Sequence, residues 1–187
     1  SDGSSGDVIE QIFPVFIGVD PETLSYQPNL PGTVATGWEV SDDSLTYTFT
    51  LRDDMTWTDG TPVTAADIVY SFEAIASGET NSTLGYILSD IESVTAPDPY
   101  TVVVTLNKPS CDAFANIVAI PMVPAHIYSS VFPTFADMNE SPFNLQDPGA
   151  TARGWTFGNF RPGEQVTLLA NPNYTDAPNT GYTVPAG

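Results

Sequence analysis

Between residues 45 and 52 apolar and polar side chains alternate without a break: Leu45, Tyr47, Phe49 and Leu51 against Thr46, Thr48, Thr50 and Arg52. A period of two is the mark of a strand with one buried face. The turn-forming Ser41-Asp42-Asp43-Ser44 joins that strand to Trp38-Glu39-Val40 as a hairpin. Two more hairpins are predicted, residues 91–96 with 101–106 around Pro97-Asp98-Pro99, and residues 154–160 with 165–170 around Arg161-Pro162-Gly163-Glu164. The period becomes helical at Ile68, Val69, Phe72, Ile75 and Ala76, a stripe that leaves a helix and a hairpin each needing the other's apolar face. Asp59-Gly60 turns the chain before it, Thr64 stands at the N-cap with Asp67 three residues on, and Ser77-Gly78 ends it. Shorter helices are predicted at Val8, Ile9, Ile12 and Phe13, halted by Pro14, and at Ala113, Phe114 and Ile117, capped by Ser110. Hairpins with helices inserted singly, and no repeat, give an α+β organisation.

Composition narrows the function. In 187 residues there are 4 basic and 23 acidic side chains, a net charge of −19. Charged residues total 14%, below the roughly 25% of ordinary domains, so the imbalance comes from missing Lys and Arg, with Lys108 the sole lysine. Such a surface repels phosphate backbones and anionic lipid, and its self-repulsion favours a monomer; nucleic acid is excluded as a partner. A single cysteine, Cys111, rules out a disulfide scaffold. No apolar run approaches the roughly 18 residues of a membrane span, so no direct membrane insertion is expected.

The search for chemistry returns little. Nucleophilic catalysis needs a base, and the one histidine, His126, lies between apolar neighbours, where a packed, hydrogen-bonded role is expected. No Gly-x-Ser-x-Gly elbow exists, and Lys108 precedes Pro109 in a turn. One Cys and one His cannot make a zinc site, and Asp42-Asp43 and Asp53-Asp54 read as solvated turn acids. Cys111 reads as a small buried hydrophobe. No catalytic residue, metal or cofactor is expected, and the chain reads as a binding module. Trp38 and Trp57 belong to predicted strands and to the core; Tyr86 and Trp155, in irregular segments, are the pocket candidates.

Several stretches, in order, carry a resemblance. Trp38 to Arg52, the block Trp57-Thr58-Asp59-Gly60-Thr61-Pro62-Val63-Thr64-Ala65-Ala66-Asp67, Ile91 to Asp98, Ile120-Pro121-Met122-Val123-Pro124-Ala125-His126, and Pro162 to Tyr174 resemble the family 5 extracellular solute-binding proteins. These are the dipeptide, oligopeptide and nickel-binding receptors of ABC importers. The resemblance implies a fragment of a type II periplasmic-binding-protein-like receptor, periplasmic or extracellular (a cell-surface lipoprotein included), that binds a peptide or other small solute and passes it to a membrane permease. It further implies residues 1–13 as a piece of the ligand-binding lobe, 14–130 as a small accessory domain, and 131–187 as a return segment with a C-terminal hairpin. Relatives place solute against the segment aligned with Ser1, Asp2, Gly3, Ser4 and Ser5 and near Tyr86. Two departures stand out: Thr151-Ala152-Arg153-Gly154-Trp155 where relatives carry Gly-Thr-Gly-Pro-aromatic, and Pro14-Val15-Phe16 where they carry Glu-Gly-Leu. The competing expectation is a structural or adhesive surface domain with no small-molecule ligand.

Overall fold

The computed structural model describes residues 12–140, 149–161 and 165–174; the predicted helix around Val8 and Ile9 lies outside them. The strict alternation at 45–52 becomes one of four antiparallel strands, β3 (Ala35–Val40), β4 (Thr46–Leu51), β5 (Ile91–Asp98) and β6 (Thr101–Leu106), after a short ribbon of β1 (Gly18–Val19) and β2 (Tyr26–Gln27). The sheet order is β3-β4-β6-β5. Register puts Trp38, Phe49 and Val102 in one row and Tyr47, Val104 and Val94 in the next, so all these side chains share a face. The opposite face carries Thr46 against Thr105, Thr48 against Val103 and Thr50 against Thr101, and is polar except for Val103. Phe49, Val102 and Val104 are fully buried, and Leu45 is half-buried against the same core.

Helix α1 (Ala65–Ala76) begins at Thr64 in extended backbone, and the Asp67 side chain accepts the Thr64 amide at 2.8 Å, the acidic half of a capping box. Ile68 and Ile75 enter the core with half-buried Val69 and Phe72, as the stripe predicts; Ala76 is exposed. The helix packs chiefly on β5 and β6. The β3–β4 half of the sheet is covered instead by Phe114 from α2 (Ala113–Val118), whose ring lies 4.9 Å from Trp38 and 6.1 Å from Phe49, and by Phe16, 4.7 Å from Phe49. A third helix, α3 (Ala125–Val131), and 3-10 runs at Thr83–Asp90 and Phe135–Glu140 are further helical elements. The last hairpin, β7 (Trp155–Arg161) with β8 (Gln165–Ala170), forms its own two-stranded sheet.

Four sequence expectations are corrected. The residue at the N-cap of α2 is Asp112, because the helix starts a turn later than Ser110, whose carbonyl accepts the Ala113 amide. Cys111 is exposed, since the turn before α2 points outward. His126 is not packed: it lies on the outer side of α3 and pairs with Asp59. Arg52, placed by alternation on the polar face, is buried, because the strand ends at Leu51 and its guanidinium folds onto Asp54 (Nη2 to Oδ2, 2.8 Å).

Phe49→Ala is expected to cost about 3 to 5 kcal/mol in urea unfolding, and Thr50→Ala on the polar face under about 0.5 kcal/mol; equal losses would show that the faces are assigned wrongly. Cys111 should react with a thiol reagent in the native protein as fast as in urea, and protection from it would place the side chain inside.

Candidate functional site

Two distant segments meet at one joint. The outbound chain at Ile12 accepts the amides of Ala152 (3.0 Å) and Arg153 (3.3 Å), while Thr58 donates to the Thr151 carbonyl (2.8 Å) and its hydroxyl accepts the Thr151 amide (3.1 Å). Asn171 fastens the same strip by donating from Nδ2 to the Arg153 carbonyl at 2.9 Å. Residues 14–150 therefore form an excursion whose two ends are tied together.

Beside the joint lies a half-open cleft of about 880 Å³. One wall is the segment from Phe13 to Val19, running past Pro14 into β1; the opposite wall is Val118 to Met122; Leu30, Pro31 and Thr33 close one side and Leu84 another. The first wall is paired on its other side, Val15 with Thr33 by a parallel bridge and β1 with β2. The one charged residue among the described lining is Arg153. Its side chain crosses Gly32, which has φ +74°; a Cβ there would run into the guanidinium. Glycine at 32 thus serves both the left-handed backbone and the close approach.

The far wall is held by α1. Ser71 Oγ donates to the Asp67 carbonyl (2.7 Å) and accepts the Val123 amide (3.0 Å), and Asp67 Oδ1 accepts the Ala125 amide (2.8 Å). Trp57 Nε1 approaches the other Asp67 oxygen at 3.4 Å. Burial pushes the Asp67 carboxyl up from its ordinary value, against the pull of the Thr64, Ala125 and Trp57 hydrogen bonds. Next to it, His126 Nε2 lies 2.7 Å from Asp59 Oδ2. Burial works against ionisation of Asp59, but the hydrogen bonds with His126 and Thr61 outweigh it and hold that carboxyl down.

Tyr86 stands on the 3-10 run with 76% of its surface exposed, outside the cleft lining but two residues from Leu84. The loop before it is pinned by Asn139, which accepts the Asn81 amide (2.7 Å) and donates to the Glu79 carbonyl (2.8 Å). Trp155 is not in an irregular segment: it opens β7 opposite Ala170 and is one-third exposed. Ser1, Asp2, Gly3, Ser4 and Ser5 lie outside the described residues. Arg153, which lines the cleft, is not among the candidates read from the sequence and falls in the stretch that departs from the family pattern. Among the described residues no group of three or more His, Cys, Asp or Glu side chains could hold a metal ion.

Similarity to known proteins runs through most of the chain. The model of the bacterial extracellular solute-binding proteins, family 5 Middle, matches residues 29–182. The periplasmic oligopeptide-binding protein OppA of Salmonella typhimurium is 34% identical over 167 residues, which cover 80% of this chain and 29% of that protein. The crystal structure of NikZ from Campylobacter jejuni in complex with Ni(L-His) superposes with a TM-score of 0.77 at 30% identity, covering 89% of this chain and 31% of that one. The oligopeptide-binding protein AppA from Bacillus subtilis, in complex with a nonapeptide, gives a TM-score of 0.81 at 23% identity over 93% of this chain and 33% of its own, and supports the fold alone. The chain thus spans about a third or less of the length of these relatives.

Asp67→Ala strands two part-buried amides and should cost roughly 2 to 4 kcal/mol. The loss carries a pH signature. The folded carboxyl titrates above the ordinary 3.8, so the native state holds the extra proton between the two values and stability falls as pH rises through that window. The wild-type advantage over Asp67→Ala is therefore expected to be largest below about pH 3.8 and to shrink as pH rises through the folded pKa, as measured by urea unfolding at a series of pH values. An advantage that grows over the same range would mean the carboxylate is stabilised by the fold.

Proposed function

This chain belongs to the family 5 bacterial extracellular solute-binding proteins, and on that premise we propose that it forms part of a receptor that delivers a peptide or peptide-like solute to the permease of an ABC importer. The observation that carries the reading is the match itself, which runs through residues 29–182 and includes a relative named as an oligopeptide-binding protein. Family members are periplasmic or extracellular receptors, and among the described residues no helix is long and apolar enough to cross a membrane. The work of such a receptor is binding and release, driven by a solute that bridges two lobes and favours the closed arrangement.

The joint supports a division of labour along the chain. Residues 14–130 act as the small accessory domain, residues 1–13 contribute to the ligand-binding lobe, and residues 131–187 return to it, fastened at Ile12 and Thr58. Ser1, Asp2, Gly3, Ser4 and Ser5 offer backbone amides and carbonyls to an extended peptide, while the rings of Tyr86 and Trp155 cover its side chains. The receptor works as a monomer, kept so by its negative surface.

In the product of the full reading frame that encodes this chain, Tyr86→Ala should weaken peptide binding by about ten-fold, which is about 1.4 kcal/mol, with the unfolding midpoint unchanged because the ring is mostly in solvent. Calorimetry against a panel of short peptides tests both halves. No binding of any peptide would end the receptor reading, and unchanged affinity in the variant would remove Tyr86 from the site.

A further inference from the structure

Asparagine stands two residues ahead of a hydroxyl in Asn81-Ser82-Thr83, Asn139-Glu140-Ser141 and Asn173-Tyr174-Thr175. None of these has proline in the middle, so each has the Asn-x-Ser/Thr pattern at which oligosaccharide is attached to exported proteins. Such tripeptides also arise by chance, and the geometry around each asparagine separates them. Whether it is added before or after folding, a sugar must leave the native fold toward solvent. The amide nitrogen that carries it keeps only one of its two hydrogens.

We propose that Asn81 is a site of N-glycosylation and that Asn139 and Asn173 are not. The inference rests on the extracellular placement of the family and not on the peptide reading. In the step, Asn81 Nδ2 attacks the anomeric carbon of an oligosaccharide carried on a lipid phosphate, within an oligosaccharyl transferase. The C–N bond forms as the C–O bond to phosphate breaks; the lipid phosphate leaves with the electron pair, and one proton passes from Nδ2 to a base of the transferase.

Asn139 is half-buried on the second 3-10 run, and its carboxamide is used at both ends: Oδ1 accepts the Asn81 amide (2.7 Å) and Nδ2 donates to the Glu79 carbonyl (2.8 Å). A sugar on that nitrogen would push the side chain off Glu79 and release the loop that the two bonds pin. Asn173 Nδ2 donates to the Thr58 carbonyl (3.3 Å), on the turn that also holds Thr151, so a sugar there would intrude on the joint. Asn81 differs on each count. It is exposed, in the polar run Ser77-Gly78-Glu79-Thr80-Asn81-Ser82-Thr83 that leads from α1 into the first 3-10 run. Its carboxamide makes no hydrogen bond among the described residues, and only its backbone amide is tied down, by Asn139. Ser82 holds extended backbone (φ −67°, ψ 129°), and Thr83, which supplies the hydroxyl of the pattern, is exposed. No fold contact of the Asn81 side chain is lost when its nitrogen is substituted. Exposed tips of small polar residues are where proteolytic nicking concentrates, and a bulky hydrated sugar chain shields this one.

The test takes the product of the full reading frame from the cells that naturally make it. After chymotryptic digestion, the peptides holding Asn81, Asn139 and Asn173 are mapped separately by mass spectrometry. A saccharide mass is expected on the Asn81 peptide and on neither of the others, with fragmentation placing it on the Asn81 side chain. In the same cells Thr83→Ala, which leaves Asn81 in place, should abolish the addition, and Thr83→Ser should retain it at least in part. Neither change should move the unfolding midpoint, because Thr83 is exposed. An unmodified Asn81 in the wild-type protein overturns the proposal, as does sugar on Asn139 or Asn173, or an addition that survives Thr83→Ala. If the variants are not exported, the wild-type map alone decides the question. None of these outcomes bears on peptide binding, so the receptor reading stands or falls separately, by calorimetry.

Discussion

A carboxylate removed from water must be supplied with donors, and in this protein that requirement falls on Asp67. It is buried, and its two oxygens receive the amide of its own N-cap, the amide that opens α3 and the indole N–H of Trp57. Those donors come from three separate pieces of chain, so satisfying one side chain fixes the start of α1, the turn before it and the segment after α2. Ser71, one helical turn further, repeats the device on Val123. Leaving these groups unpaired in the interior is costly, so the 118–125 stretch lies where the donors put it. That stretch is one wall of the cleft.

The other wall follows from packing. Phe16 turns inward onto Phe49 and Phe114 covers Trp38 and Tyr47, so the chain entering from Ile12 is drawn under the β3–β4 half of the sheet while α1 covers the β5–β6 half. That entering chain is held in turn by the parallel bridge of Val15 to Thr33 and by the pairing of β1 with β2. The joint at Ile12 and Thr151 then sets the width, and Gly32 admits Arg153 between the walls. Cleft and joint share one strip of chain.

The acidic surface and the few bases belong to one charge arrangement. Of the 4 bases, the three whose side chains are described each mark a place where attraction is local. Arg52 is used to close a strand end, Lys108 to hold the turn after β6 near Asp90, and Arg153 to line the cleft. The pairs on the surface contribute little to stability, being solvated and screened.

The sequence by itself determined the local elements: alternation at 45–52 fixed a strand and its buried face, the stripe from Ile68 to Ile75 with Thr64 and Ser77 fixed a helix and its ends, and turn residues placed three hairpins. These are consequences of side-chain period and backbone restriction, which act within a few residues. The block from Trp57 to Asp67 also carried the family resemblance, although periodicity read Asp67 as a cap and not as the buried centre of a network. Only the tertiary structure decided which half of the sheet α1 covers, that Arg52 is inside and Cys111 outside, that Asp59 meets His126 across 67 residues, and that Arg153 lies on Gly32. The physical reason is that burial and pairing of a charged or polar group depend on donors and surfaces brought from distant parts of the chain, and no local pattern records where those will be.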